Sequence, residues 1–175
     1  MSEVTPLQTL NLLREAAAER LASRIAALPQ GGTEITCAAG CSACCRQLVV
    51  VSPLEALGIA ACVDANPSLA VQAAERIRRW HEQLEATPAL RARLDAFTAA
   101  HGYVSGEEGG ALELAYWQAQ LPCPFLDNNR CAIYPARPFA CREHYVISDP
   151  ARCARDPDAA TPAGTRLEYR AVAGY

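Results

Sequence analysis

Lysine is missing from this chain, and all 16 of its basic residues are arginine. That excludes Schiff-base catalysis through a lysine amine. No excess of positive charge exists either: the formal net charge is -3. A general nucleic-acid binder needs Lys and Arg to neutralise phosphates, so that class is not expected. The first residues, Met1-Ser-Glu-Val-Thr-Pro6, lack the basic start of a secretory signal. No apolar run is long enough to span a bilayer; the most apolar one after residue 45 is Leu57–Val63. Also missing are internal repeats, low-complexity stretches, a phosphate-binding glycine loop and any assignable Ser-His-Asp or paired-carboxylate site. A cytoplasmic protein without membrane or nucleic-acid partners is the expectation, with no catalytic residue assigned.

What the chain does have is cysteine. Nine are present, and seven fall in two blocks. The first is Cys37-Ala-Ala-Gly-Cys41-Ser-Ala-Cys44-Cys45; the second holds Cys123, Cys131 and Cys141, with Cys153 just beyond. In a reducing compartment such clusters speak for metal or redox chemistry rather than structural disulfides, and the odd count fits a disulfide framework poorly. Cys41-x-x-Cys44 is a chelating spacing, and Cys37 stands in reach as a third ligand. Gly40 allows the tight loop this requires. Neighbouring side chains ordinarily diverge, so Cys44 and Cys45 are expected to point apart and favour a polynuclear centre or two sites sharing a wall. The candidate ligands are therefore Cys37, Cys41, Cys44, Cys45, Cys123, Cys131, Cys141 and Cys153: enough for two four-cysteine sites, or one cluster with spare thiols. Cys62, within the apolar segment Gly58–Val63, reads as a core thiol.

A length of 175 residues suits one domain, here 1–175, with 51% hydrophobic residues to fill a core. Thr5-Pro6 opens a helix over 6–28 whose stripe is Leu10, Leu13, Ala17, Leu21, Ile25 and Leu28. Cysteine block one is 37–45, followed by the short apolar run Leu48–Val51. A helical middle covers 53–120. Its first helix starts at the capping box Ser52-Pro-Leu-Glu55 and ends near Asn66-Pro67. The next carries Leu69, Ala73, Ile77, Trp80 and Leu84, and Thr87-Pro88 starts another with Leu90, Leu94 and Phe97 inward. Residues 102–110 read as a polar loop and 111–120 as the last longer helix. Block two is 123–153, with a hairpin-like turn at Asp127-Asn-Asn and a short helix around 138–143. The tail after Asp149, rich in Pro, Asp and Ala, is expected to be irregular or to wrap the surface. The fold expectation is mainly α: a small helical domain with two cysteine-bearing loops converging on a metal centre.

The ordered words C-x(3)-C-x(2)-C-C, Cys123-Pro-Phe-Leu126, Cys131-x-Ile133-Tyr134 and Arg137-Pro138-x-x-Cys141-Arg142 resemble the YkgJ-type CxxCxxCC cysteine-cluster family. The first gap is three residues rather than two. The resemblance implies a zinc- or iron-chelating domain with Cys37, Cys41, Cys44, Cys45, Cys123, Cys131 and Cys141 as its cysteines. Flagellin lysine N-methylases carry a similar cluster and are linked to an iron–sulfur centre and methyl transfer. This chain is much shorter and lacks a glycine-rich nucleotide turn after a strand, so that activity is not carried over.

Thiolates suit zinc and iron alike. The vicinal pair and the excess over four ligands favour iron, as an iron–sulfur cluster or a polynuclear site, with zinc the alternative. Arg46, Arg137 and Arg142 flank the cysteines; they either offset thiolate charge or pair with Glu143, Asp127 or Asp149. His144 reads as a surface residue, and His81 and His101 as helix residues. Tyr134 is expected to pack under its loop, and Phe125, Leu126, Ile133 and Phe139 to cover the centre. Trp80 and Trp117 read as core. The function expected is an accessory redox, electron-transfer or metal-delivery protein carrying a cysteine-ligated iron centre, with a protein or peptide partner. The alternatives are a metalloenzyme modifying a peptide or protein, or an interaction domain built on structural zinc.

Overall fold

Helix starts are written in the sequence as proline preceded by a capping side chain, and the computed structural model, which describes residues 4–26, 35–100, 102, 106–146 and 150–155, follows them closely. Helix α1 spans Pro6–Ala26, with Thr5 and Gln8 exchanging side-chain and backbone bonds as a capping box. Helix α2, Pro53–Asp64, has the full Ser52–Glu55 box. Helix α3, Pro67–Glu85, is capped by Asn66, whose Oδ1 accepts from Leu69 N–H at 3.1 Å. Helix α4 is Pro88–Ala99. These four helices pack in sequence order, each against the next, and α4 packs on α5.

Helix α5, Gly106–Gln118, departs from expectation by starting inside the stretch read as loop. Glu107 and Glu108 occupy its first turn, where carboxylates offset the positive end of the helix dipole. Side chains, not glycine content, decided that boundary. On α1, Leu10 is fully buried and Leu21 and Ile25 partly so, but Leu13 is 48% exposed. A single helix neighbour shields too narrow a stripe to cover it. Leu28 lies outside the described residues.

Block two brings the smallest elements. Strands β1 (Leu126–Asp127) and β2 (Arg130–Cys131) pair antiparallel, Leu126 facing Cys131. The Asn128-Asn129 turn between them has φ of 46° and 61°, the left-handed pair that a two-residue hairpin needs and that asparagine tolerates. A 3-10 turn at Tyr134–Ala136 packs against α2, and helix α6 is Phe139–Arg142. The described part of the tail is not irregular: Pro150–Cys153 forms helix α7, packed on the 3-10 turn Ala43–Arg46 of block one.

Two apolar clusters hold this arrangement. Leu84, Leu90, Leu112, Tyr116 and Leu121 join α3, α4 and α5, with Leu48, Trp80, Leu94 and Phe97 against them. The run Leu48–Val51 is thus non-helical chain that contributes one anchor. Leu69, Ile133 and Ala136 form the second cluster, which fastens block two to α2 and α3 through Ile59, Cys62, Val63 and Phe125. Each such fully buried aliphatic side chain contributes about 1.5–3 kcal/mol. No described helix is long and apolar enough to cross a membrane.

Candidate metal centre

Block one is folded by short-range bonds. Cys41 N–H donates to Ala38 O at 3.0 Å across a turn in which Gly40 has φ 95°, a value costly for any residue with a Cβ. Cys44 and Cys45 then ride on the 3-10 turn Ala43–Arg46. The side chains of this vicinal pair act on each other. Cys45 lowers Cys44 to about 7, and Cys44 in turn raises Cys45. Burial acts against the first shift and adds to the second.

Block two is tied directly to this turn. Cys123 N–H donates to Cys45 O at 2.7 Å, and Ser42 Oγ meets Asn129 Oδ1 at the hairpin tip at 3.0 Å. On the other side, Val146 N–H donates to Cys37 Sγ at 3.3 Å while Val146 O accepts from Thr36 N–H at 2.9 Å. Cys153, on α7, is 7% exposed. All nine cysteines are free thiols, so the disulfide reading falls.

Electrostatics shows which thiols share space. Burial is the leading cause that raises Cys37, Cys123, Cys131, Cys141 and Cys153, Cys141 to about 12. The charge of Cys44 raises every one of these five as well as Cys45. On one side of it Cys153 also responds to Cys37 and Cys41; on the other Cys141 responds to Cys123 and Cys131. Cys44, the thiol that ionises first, thus acts on thiols of both blocks. Backbone N–H groups of Phe125 and Ile133 point at the sulfurs of Cys123 and Cys131 and favour their thiolate forms. The Arg137 charge acts the same way on Cys44, Cys131 and Cys141.

An all-thiol donor set with N–H groups aimed at two of its sulfurs fits zinc or iron in chemistry. Among the described residues no group of three or more His, Cys, Asp or Glu side chains is placed to hold an ion as it stands. The two blocks are therefore gathered side by side without a finished ligand shell.

Several neighbours differ from expectation. Tyr134 does not pack under its loop; it is 59% exposed, with the Arg137 guanidinium 3.7 Å above its ring. Neither Arg137 nor Arg142 pairs with Glu143 or Asp127 among the described residues; Asp127 pairs with Arg76 at 3.5 Å, and Asp149 lies outside them. Arg46 Nη1 donates to Gln120 O at 3.4 Å. Of the apolar cover, Ile133 is buried, and Phe125, Leu126 and Phe139 are partly so. Cys62 packs in the second cluster as a core thiol would, yet close enough to Cys131 to raise it. Trp80 is partly buried and donates to Tyr116 Oη at 3.0 Å; Trp117 is partly buried too. His81 is exposed with its ring edge against Trp80, His144 is half-buried rather than on the open surface, and His101 lies outside the described residues.

One residue escaped the sequence reading. Glu55, whose capping role was legible, also reaches block two: its Oε1 accepts from Phe139 N–H at 2.8 Å, at the start of the helix that carries Cys141. Nothing in the sequence signals that second bond.

No curated protein and no solved structure matches this chain. One family model does, over residues 36–159, a span that takes in all eight candidate cysteines and more than half of the chain. Its description is "Putative zinc- or iron-chelating domain". With that match laid over the gathered thiols, the chain belongs to the CxxCxxCC family of metal-chelating domains.

Proposed function

We propose that this domain holds iron, as an iron–sulfur cluster or a polynuclear iron site, and serves a protein partner in electron transfer, redox sensing or metal delivery within a reducing cytoplasm. The observation that supports the reading is the meeting of the two blocks, Cys123 N–H on Cys45 O at 2.7 Å, since together they carry more cysteines than a single four-coordinate ion takes. Bound iron would supply one-electron chemistry that zinc does not. Cys37, Cys41, Cys44 and Cys153 would hold metal on one side, and Cys45, Cys123, Cys131 and Cys141 on the other.

The remaining residues set the surroundings. The N–H groups of Val146, Phe125 and Ile133 neutralise sulfur charge without mobile side chains. Arg137 adds a full positive charge, and buried Ile133 keeps water from one wall. Both act on ease of reduction. Small rotations of cysteine side chains would close the shell on a backbone already held by the Cys123–Cys45 bond.

Anaerobic purification with metal and acid-labile sulfide analysis and an absorption spectrum on one sample tests this. Iron with sulfide and a broad visible band supports a cluster, and iron without sulfide a polynuclear site. A colourless protein with one or two zinc ions would overturn the redox reading in favour of a structural scaffold. A second reading, a metalloenzyme acting on a peptide, draws on the exposed Tyr134 and Arg137 pair beside the thiols.

A further inference from the structure

The arginines of this protein fall into two populations. Four of those on α3 and α4 are matched by acids: Arg76 with Asp127, Arg78 with Glu75 and Glu82, Arg79 with Glu75, and Arg91 with Glu85 and Asp95, whereas Arg93 meets only the Ala111 carbonyl. Arg14, Arg137 and Arg142 have no ion-pair partner among the described residues, although acidic residues outnumber basic ones 19 to 16. These three surround one short segment. Arg14 Nη2 donates to Ala136 O at 3.2 Å, and Arg142 donates through Nε to Arg137 O at 2.9 Å and through Nη2 to Pro135 O. Arg137 itself lies over the Tyr134 ring at 3.7 Å.

Three consecutive carbonyls, 135 to 137, therefore fix where the Arg14 and Arg142 guanidinium groups stand, and the Tyr134 ring lies under that of Arg137. They do not cancel the charge, because a carbonyl offers a dipole and each guanidinium a full positive charge. Like charges gathered and half-buried without an acid are disfavoured unless something anionic joins them. The thiols answer part of the Arg137 charge, but no thiol is influenced by Arg14 or Arg142 among the causes that shift the cysteines. Donors also remain unspent. A guanidinium carries five N–H groups; Arg14 uses one and Arg142 two, and the Nε of Arg137 is buried with no acceptor at all.

We propose that Arg14, Arg137 and Arg142 form a binding site for a small oxyanion, a phosphate or carboxylate group, at the rim of the thiol cluster beside Tyr134. Both anions present the oxygen pairs that a guanidinium fork grips. The exposed face of Tyr134 leaves the mouth open to solvent. This site does not depend on which metal, if any, the cysteines hold.

Calorimetric titration of the full chain with inorganic phosphate, and separately with acetate, at ionic strength held constant with chloride tests it. Saturable binding is expected for at least one of the two anions, and which of them binds identifies the class. Arg14→Gln and Arg142→Gln should each weaken it about tenfold, one charge-assisted bond's worth, while Arg78→Gln leaves it unchanged. Metal content is measured on every sample, so failure of the metal reading is seen separately. Because Arg14 and Arg142 also hold the 135–137 loop, the wild-type titration decides on its own: no saturable binding of either anion overturns the proposal. Binding equally strong in both glutamine variants, as for an anion taken directly by a metal, overturns it too.

Discussion

Replacing Glu55 by alanine removes the one buried charged side chain among the described residues, at 6% exposure. Its Oε2 accepts from Ser52 N–H at 2.8 Å and Ser52 O–H at 2.7 Å, and its Oε1 from Phe139 N–H at 2.8 Å. The first two belong to a helix cap, worth about 1 kcal/mol. The third joins residues 84 apart and is a hydrogen bond to a charged acceptor, worth about 1.5–3 kcal/mol with the donor then left unpaired. Together Glu55→Ala should cost roughly 2.5–4 kcal/mol, or about 10 °C in Tm for a chain of this size. Asn66→Ala, which removes a cap with no second bond, should cost only about 1 kcal/mol. Thermal and urea denaturation of the two variants beside the parent measure the difference. If both variants lose the same 1 kcal/mol, the Glu55–Phe139 bond contributes nothing and the reasoning is wrong. Glu55→Gln retains one acceptor oxygen and should fall between them.

Metal should be lost from Cys44→Ser and Cys141→Ser and retained by Cys62→Ser, read by elemental analysis after anaerobic purification; loss in Cys62→Ser would show that the cysteines have been divided wrongly. A Cβ at Gly58 would meet Leu10 Cδ2 at 2.3 Å, whereas one at Gly110 meets nothing within 4 Å. Both gain about 1 kcal/mol of helix propensity, but overpacking costs about 1–3 kcal/mol, so Gly58→Ala should destabilise and Gly110→Ala stabilise. Changes of the same sign in urea denaturation would refute this. Burial raises the Tyr116 phenol, although the Trp80 N–H lowers it. A raised folded pKa gives stability that is complete below the unfolded value of about 10 and lost as pH climbs through the folded one. The fall in Tm above about pH 10 should accordingly be shallower in Tyr116→Phe; an identical slope would show that the phenol does not contribute.

Local features were the legible ones. Ser52-Pro-Leu-Glu55 and Asn66-Pro67 each opened a helix where capping chemistry puts it, Thr87-Pro88 did so with its proline and no side-chain cap bond, and Asn128-Asn129 closed a hairpin because its turn demands positive φ. The start of α5 was misread from its glycines, since the stabilising effect of Glu107 and Glu108 on a helix end outweighed them. Leu13 fitted the apolar period but found no neighbour, and Tyr134 stayed exposed under Arg137. Periodicity says which residues could share a face, not which face the chain covers.

The sequence alone supplied the candidate donors, eight cysteines in and just beyond two blocks, together with the lack of lysine and a helical frame between two loops. Family membership was already present in the order of its cysteine words. Only the tertiary structure decided that the two blocks meet, with Cys123 N–H on Cys45 O, and that the Cys44 charge acts on thiols of both. It also brought Glu55 to Phe139, Arg14 to Ala136 and Cys37 to Val146, across 84, 122 and 109 residues. Such contacts depend on how separate helices pack, and packing is set by the summed burial of the whole chain rather than by any short stretch of it.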